Sequence, residues 1–246
     1  MAGTVAETRR PLLRPLARAL VVVTLAASTV LIAGPRPSPP AGGGGGPAWP
    51  DPGRFTTRID NPFWPMAPGS RWVYRDTGAT GGGRRVEVTV TGRTVRVQGV
   101  EARVVLDVVY EHGRPREVTE DWFAQDLDGN LWQLGEASAG EGWRAGTGGA
   151  EPVLVLPARP DPGAVHRQPA AEVQVLSAAT TAKVPFGSFR RVLVTQELGS
   201  PEVEIEHEFY ARGVGPVLAV TVAGGSGREE LVGFSPARSA GTSTGR

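Results

Sequence analysis

The chain predicts an all-β fold: one antiparallel, strongly curved sheet or an open barrel, with few or no helices outside the N-terminal segment. Three observations carry this. Arg85-Val-Glu-Val-Thr-Val-Thr91 alternates polar and apolar residues strictly, the period of a half-buried strand. Similar β-branched runs recur at intervals of roughly ten residues, separated by Gly- and Asp-containing turns. After the first fifty residues no window holds a helical period of useful length.

The first element is not part of that fold. Arg9, Arg10, Arg14 and Arg18 precede an apolar run from Ala19 to Ala33, which ends at Pro35 and a glycine tract, Gly42 to Gly46. A charged lead, an apolar run of about fifteen residues and a Pro/Gly spacer describe an export segment; a spanning helix takes roughly twenty. Residues 1–34 are therefore read as a signal peptide, or as an uncleaved signal anchor, because neither Ala33 nor Gly34 ends an A-x-A cleavage pattern. Residues 35–54 read as a disordered Pro/Gly linker, 55–234 as the β domain and 235–246 as a disordered tail.

Within the domain, strands are expected over 85–91, 101–110, 117–125 and 131–134. The first turn among the last three contains Gly113 and the second Asp126-Leu-Asp-Gly-Asn130, so these three form a meander. Residues 135–149 are Gly-rich and read as a mobile loop. Leu156 to Gly163 carries three prolines and reads as a rigid, extended connection. Further strands are expected over 172–177, 189–197, 202–210, 216–222 and 229–234.

Composition narrows the function. The chain has no cysteine, which removes disulfides, thiolate metal sites, cysteine nucleophiles and a lipoprotein anchor. A net charge of +1 argues against nucleic acid as a partner. Lys183 is the only lysine, the mark of a GC-rich genome rather than of an arginine-based function.

Two groups of residues could carry a site. In the stripe Glu202-Val-Glu-Ile-Glu-His-Glu-Phe209, a strand places Glu202, Glu204, Glu206 and Glu208 on one face and Val203, Ile205, His207 and Phe209 on the other. Four carboxylates in a row suit a hard cation such as calcium, or they form a wet stripe facing arginines of neighbouring strands, the favoured reading. His207 then sits in the core. The second group is aromatic: Trp64, Trp72, Trp122 and Trp132 could line a groove for an apolar ligand, or fill the core. Asp126 to Asn130 lacks the spacing of a calcium loop and reads as a hairpin turn. Gly213-Val-Gly215 precedes a strand, so it is no dinucleotide fingerprint but a tight reversal or bulge. The scattered His112, His166 and His207 and the absent G-x-S-x-G leave no catalytic set, and no cofactor is expected.

Four stretches resemble a family. They are Ile59-Asp-Asn-Pro-Phe-Trp-Pro-Met-Ala-Pro-Gly-Ser-Arg-Trp-Val-Tyr74, Asp121 to Trp132, Val184-Pro-Phe-Gly-Ser-Phe-Arg-Arg-Val-Leu-Val194 and Phe209-Tyr-Ala-Arg-Gly-Val-Gly215. The chain resembles a group of exported bacterial β-proteins with no assigned activity, over nearly all of residues 55–234. The resemblance implies an extended antiparallel sheet and brings no catalytic residues. A more distant likeness, at the level of fold, is to LolA-type periplasmic lipid carriers, a curved sheet forming an open half-barrel, so the expected shape is LolA- or lipocalin-like. The expectation is an exported, non-enzymatic β domain, secreted or tethered by its N-terminal segment alone. It would bind a lipid, another apolar or amphipathic ligand, or an envelope component. A structural envelope module and a cell-wall polymer hydrolase are the alternatives.

Overall fold

The computed structural model describes residues 51–77, 83–168, 171–199 and 205–237. Residues 1–34, read above as an export segment, and nearly all of the expected linker and tail lie outside them. Apart from one 3-10 turn, Pro52–Arg54, every regular element described is a strand. These are β1 (Phe55–Thr56), β2 (Arg71–Asp76), β3 (Arg84–Val97), β4 (Val100–Glu111), β5 (Arg114–Asp126), β6 (Leu131–Ser138), β7 (Glu141–Arg144) and β8 (Val153–Leu156). They continue with β9 (Val165–Gln168), β10 (Ala171–Val184), β11 (Gly187–Gly199), β12 (Ile205–Ala211), β13 (Gly215–Ala223) and β14 (Arg228–Ser235).

All pair antiparallel in one sheet, in the order β7-β6-β5-β4-β3-β2-β14-β13-β12-β11-β10-β9, with β1 on β5 and β8 on β6. The sheet is thus two meanders, β2 to β7 and β9 to β14, joined where the first long strand meets the last: Tyr74 lies opposite Leu231. Two hairpins turn on two residues with positive φ, Gln98-Gly99 and His112-Gly113, as a right-twisted hairpin favours. Gly213 (φ 76°) serves the reversal between β12 and β13 that the sequence suggests.

The expectation of a strongly curved sheet or open barrel is corrected. The hydrogen-bonded path ends at β7 and β9 without closing, and the sheet is not strongly curled. Its end strands explain this. β7, β8 and β9 have four residues each, and Pro152 and Pro157, which have no N–H to give a ladder, bracket β8. The link between β8 and β9 is made by a side chain: Gln168 Nε2 donates to the Leu154 carbonyl at 3.0 Å.

Residues 135–149 also differ from expectation. β6 runs on to Ser138 and turns into β7, so much of the expected loop is a hairpin. Gly135 is needed for close approach: a Cβ there would stand 2.5 Å from the Trp122 ring.

One face of the sheet holds the main core. In the middle of it lies the segment before β2, whose Ile59, Phe63, Trp64 and Met66 are buried. Period-2 alternation supplies the strand residues beneath, such as Val86, Val88 and Val90 of β3. The segment is held by a buried amide clip. Gln125 Oε1 accepts from the Asp60 and Asn61 N–H groups at 2.9 and 2.7 Å, and its Nε2 donates to Asp60 Oδ1 at 2.7 Å. A smaller apolar cluster, including Val97, Ala102, Ala124 and Leu134, has Trp122, Trp132 and Phe55 packed against it.

Candidate functional site

The four tryptophans do not meet on one surface. Trp64 touches Phe123 and Tyr210, with ring centroids 5.7 and 6.1 Å away, inside the main core. Trp72 is fully buried and donates its indole N–H to the Val214 carbonyl at 2.8 Å. Trp122 and Trp132 are half-buried against the smaller cluster. The Arg144 guanidinium lies 4.8 Å over the Trp122 ring. The Trp132 indole donates to Asp126 Oδ2 at 2.8 Å.

That last bond also explains the Asp126–Asn130 turn. The Asp126 carboxylate accepts from the N–H groups of Asp128 and Asn130 and from the Asn130 side chain, at 2.8 to 3.0 Å. Its oxygens thus serve the hairpin.

The glutamate stripe is the main surprise. Glu202 and Glu204 lie outside the described residues. Glu206 and Glu208 are on β12, and Glu208 is buried, not wet. The alternation was legible, but the more buried face is the one that carries Glu208, with Phe209 half-buried against the core as well. Glu208 and Tyr210 point to the core, and the Tyr210 hydroxyl donates to the Glu208 carboxyl. His207, expected in the core, is half-buried beside Gln196, its Nε2 3.1 Å from Gln196 Oε1. Among the described residues no group of three or more His, Asp or Glu side chains is placed to hold a metal ion.

Glu208 belongs to a band that sequence reasoning missed. Along β5 and β12, two residues before Phe123 and Tyr210, which touch Trp64, come Asp121 and Glu208. Asp107 of β4, opposite Thr119, shares a face with Asp121. Glu229 of β14 and Asp76 of β2 are register partners. All five are buried, with exposures of 3 to 5%, and Arg84 is the one buried guanidinium among the described residues, 2.5 Å from Asp76.

The electrostatics follow from burial. The Glu208 carboxyl is pushed well above the usual carboxylate range, first by desolvation and then by Glu206 and Glu197; the Tyr210 hydroxyl pulls the other way. Glu206 and Glu197 are direct cross-strand partners. The Tyr74 hydroxyl, which donates to the Pro216 carbonyl at 3.1 Å, is raised by burial and then by Glu229, Asp107 and Glu208. Tyr210 is raised by burial and by Glu208. Glu208, Tyr74 and Tyr210 therefore hold their protons tightly. Each of five strands supplies one of the band's acids, so no local motif marks it.

No family model matches the chain, and no curated protein matches it. Two solved structures are similar. One is a candidate exported protein with a YmcC-like fold from Bacteroides fragilis, at 12% identity and TM-score 0.46, covering 71% of this chain and 99% of that one. The other is a candidate lipoprotein from Parabacteroides distasonis, at 11% identity and TM-score 0.45, covering 70% and 98%.

Proposed function

We propose that this chain is an exported, non-enzymatic β domain that holds an amphipathic ligand against its core face. The carrying observation is the acidic band: five buried carboxylates and one buried guanidinium beside an aromatic layer. Burying acidic groups costs free energy even where they are paired, so their retention points to a role other than stability. The export segment supports a place outside the cytoplasm, released or tethered. The aromatic layer is filled by Trp64 and its neighbours, so the polar part of the ligand faces the carboxylates.

Native mass spectrometry of the protein purified from its own envelope tests this. A small molecule carried at high occupancy is expected; its absence would refute the reading. The mature N-terminus, compared with Met1, decides between release and tethering.

A second reading is favoured by one observation. Glu208, its pKa raised, shares a strand face with Glu206, which lies opposite Glu197, and an acid beside other carboxyl groups is the raw material of a glycoside hydrolase. Release of reducing ends from cell-wall polymer, lost in Glu208→Gln, would establish it.

A further inference from the structure

The turn between β10 and β11 presents an aromatic ring to solvent. Phe186 is 42% exposed, the one aromatic among the exposed large hydrophobics of the described residues. The ring is held in place. The Phe186 N–H donates to the Leu231 carbonyl at 3.1 Å, next to the exposed Val232. Its ring lies nearly parallel to that of Phe189 and edge-on to that of Phe234, with centroids 6.4 Å away in both cases. Phe234 rests in turn on the buried Trp72. The core therefore fixes the ring and leaves one side of it uncovered.

The same hairpin is basic. From Ala179 to Thr195 its charged residues are Lys183, Arg190 and Arg191, all cations. All are exposed, and among the described residues none of their side chains makes an ion pair or a hydrogen bond. Glu230, the acid before Leu231 on β14, is already bound by Arg75 and Arg228. A bulge aims the two arginines. Thr180 lies opposite Val192 and Thr181 opposite Arg190, so Arg191 is the extra residue, with φ 55°. Positive φ is uncommon for a residue of this kind. A regular ladder would turn one of the two arginines toward the core, whereas the bulge leaves both outside. Lys183 pairs with Ser188, one row behind the last pair before the turn, and Arg190 stands three rows behind it.

A ring ahead of unpaired cations matches an anionic lipid surface. Headgroups attract the cations, and the ring enters the apolar boundary beneath them. The spacing fits. One and three strand rows are about 3 and 10 Å, a headgroup layer is about 5–8 Å deep, and long basic stems span the difference. A second copy of the chain, docked by the same patch, would set these like charges against one another. We propose that the β10–β11 hairpin is a membrane-docking tip: Phe186 inserts at the boundary of an anionic bilayer, and Lys183, Arg190 and Arg191 bind its headgroups. This contact is separate from any that the N-terminal segment makes, and it stands whether or not the core face holds a ligand.

The chain has no cysteine, so a polarity-sensitive fluorophore can be attached at one chosen site. Ser188→Cys reports the tip. Arg114→Cys reports the β4–β5 turn, four strands along the sheet from β14. Each labelled full chain is mixed with phosphatidylcholine vesicles, with and without phosphatidylglycerol. The N-terminal segment acts on both labels alike, so their difference isolates the tip. Emission of the tip label should shift to the blue on phosphatidylglycerol vesicles and return with added salt, while the Arg114→Cys label stays in water. Lys183→Gln, Arg190→Gln and Arg191→Gln should each lower the docked-to-free ratio about fivefold, the equivalent of about 1 kcal/mol per basic side chain near an anionic surface. Phe186→Ser should lower it at least fivefold. Denaturation midpoints check that the variants fold; should Phe186→Ser fail, the three charge variants carry the test. No shift at the tip, an equal shift on pure phosphatidylcholine, or variants that behave as the parent would each overturn the proposal. A tip shift that grows with protein concentration in the absence of vesicles would assign the patch to a second copy and overturn it too.

Discussion

Replacing Gln125 with Glu changes one NH2 to oxygen at nearly constant volume, in the clip that holds the segment before β2. The two bonds accepted by Oε1 from the Asp60 and Asn61 N–H groups survive. The 2.7 Å bond from Nε2 to Asp60 Oδ1 becomes a contact between two carboxylates. A hydrogen bond to a charged group is worth about 1.5–3 kcal/mol. Two like charges about 4 Å apart repel by about 1–4 kcal/mol between bulk water and a protein surface. Asp60 is half exposed and bonded to Arg58, which keeps the repulsion at the low end, and the retained bonds strengthen toward a carboxylate. The net expectation is a loss of about 2–4 kcal/mol at pH 7, a large share of a domain's total of roughly 5–15. Guanidinium denaturation followed by tryptophan fluorescence measures it. Adding Asp60→Asn should restore more than half, because the side-chain amide introduced there can donate to the new carboxylate. The new carboxyl binds its proton more tightly when folded, so the deficit shrinks on acidification. A deficit below about 1 kcal/mol, or no rescue by Asp60→Asn, would refute the clip as the anchor of this segment.

Other outcomes follow from the same geometry. Glu208 has a raised pKa when folded, so its stability contribution is full below the ordinary carboxylate range and is lost as pH rises toward the raised value. Calorimetric Tm should therefore fall from pH 5 to pH 8, and Glu208→Gln, beside Tyr210, Glu206, Glu197 and Thr195, should flatten that slope; a slope unchanged in the variant would count against a protonated Glu208. Gly135→Ala should cost about 2–3 kcal/mol by denaturant titration, because its Cβ would stand 2.5 Å from the Trp122 ring and 2.6 Å from the Trp143 carbonyl. Trp132→Phe should cost about 1–2 kcal/mol in the same titration through the lost bond to Asp126; no change would show that the hairpin does not need it.

What the sequence revealed depended on periodicity. The expected strand over 85–91 lies inside β3 because three valines at period 2 leave one solution. Asp126 and Gly129 marked their hairpin, and Gly213 its reversal. β2, β7, β8 and β9 carry no strict polar–apolar alternation, so periodicity passes over them. Gly135 and Gly142 suggested mobility, but a Cβ at either would stand 2.5 Å from its nearest neighbour, so they mark crowding. The glutamate stripe shows the deeper limit. Period 2 sorts residues into faces without saying which face is the core. Polarity pointed outward for Glu208, and Tyr210 in the next position on that face decided otherwise. The acidic band needs β5, β4, β2, β14 and β12 gathered in one stretch of the strand order, with β3 and β13 between them, which only the topology provides.

The pairing of β2 with β14 sets a timetable for folding. The first long strand off the ribosome finds one of its two neighbours among the last residues of the domain, Glu229 to Ser235. The β2–β14 half of the sheet cannot close around Trp72 and Tyr74 until about a hundred and sixty residues more have been made, and contacts of such long sequence separation form slowly. The chain consequently stays without a finished core through most of its synthesis. A chain that folds so late can still be threaded as an extended strand, which is what the proposed export through residues 1–34 would require.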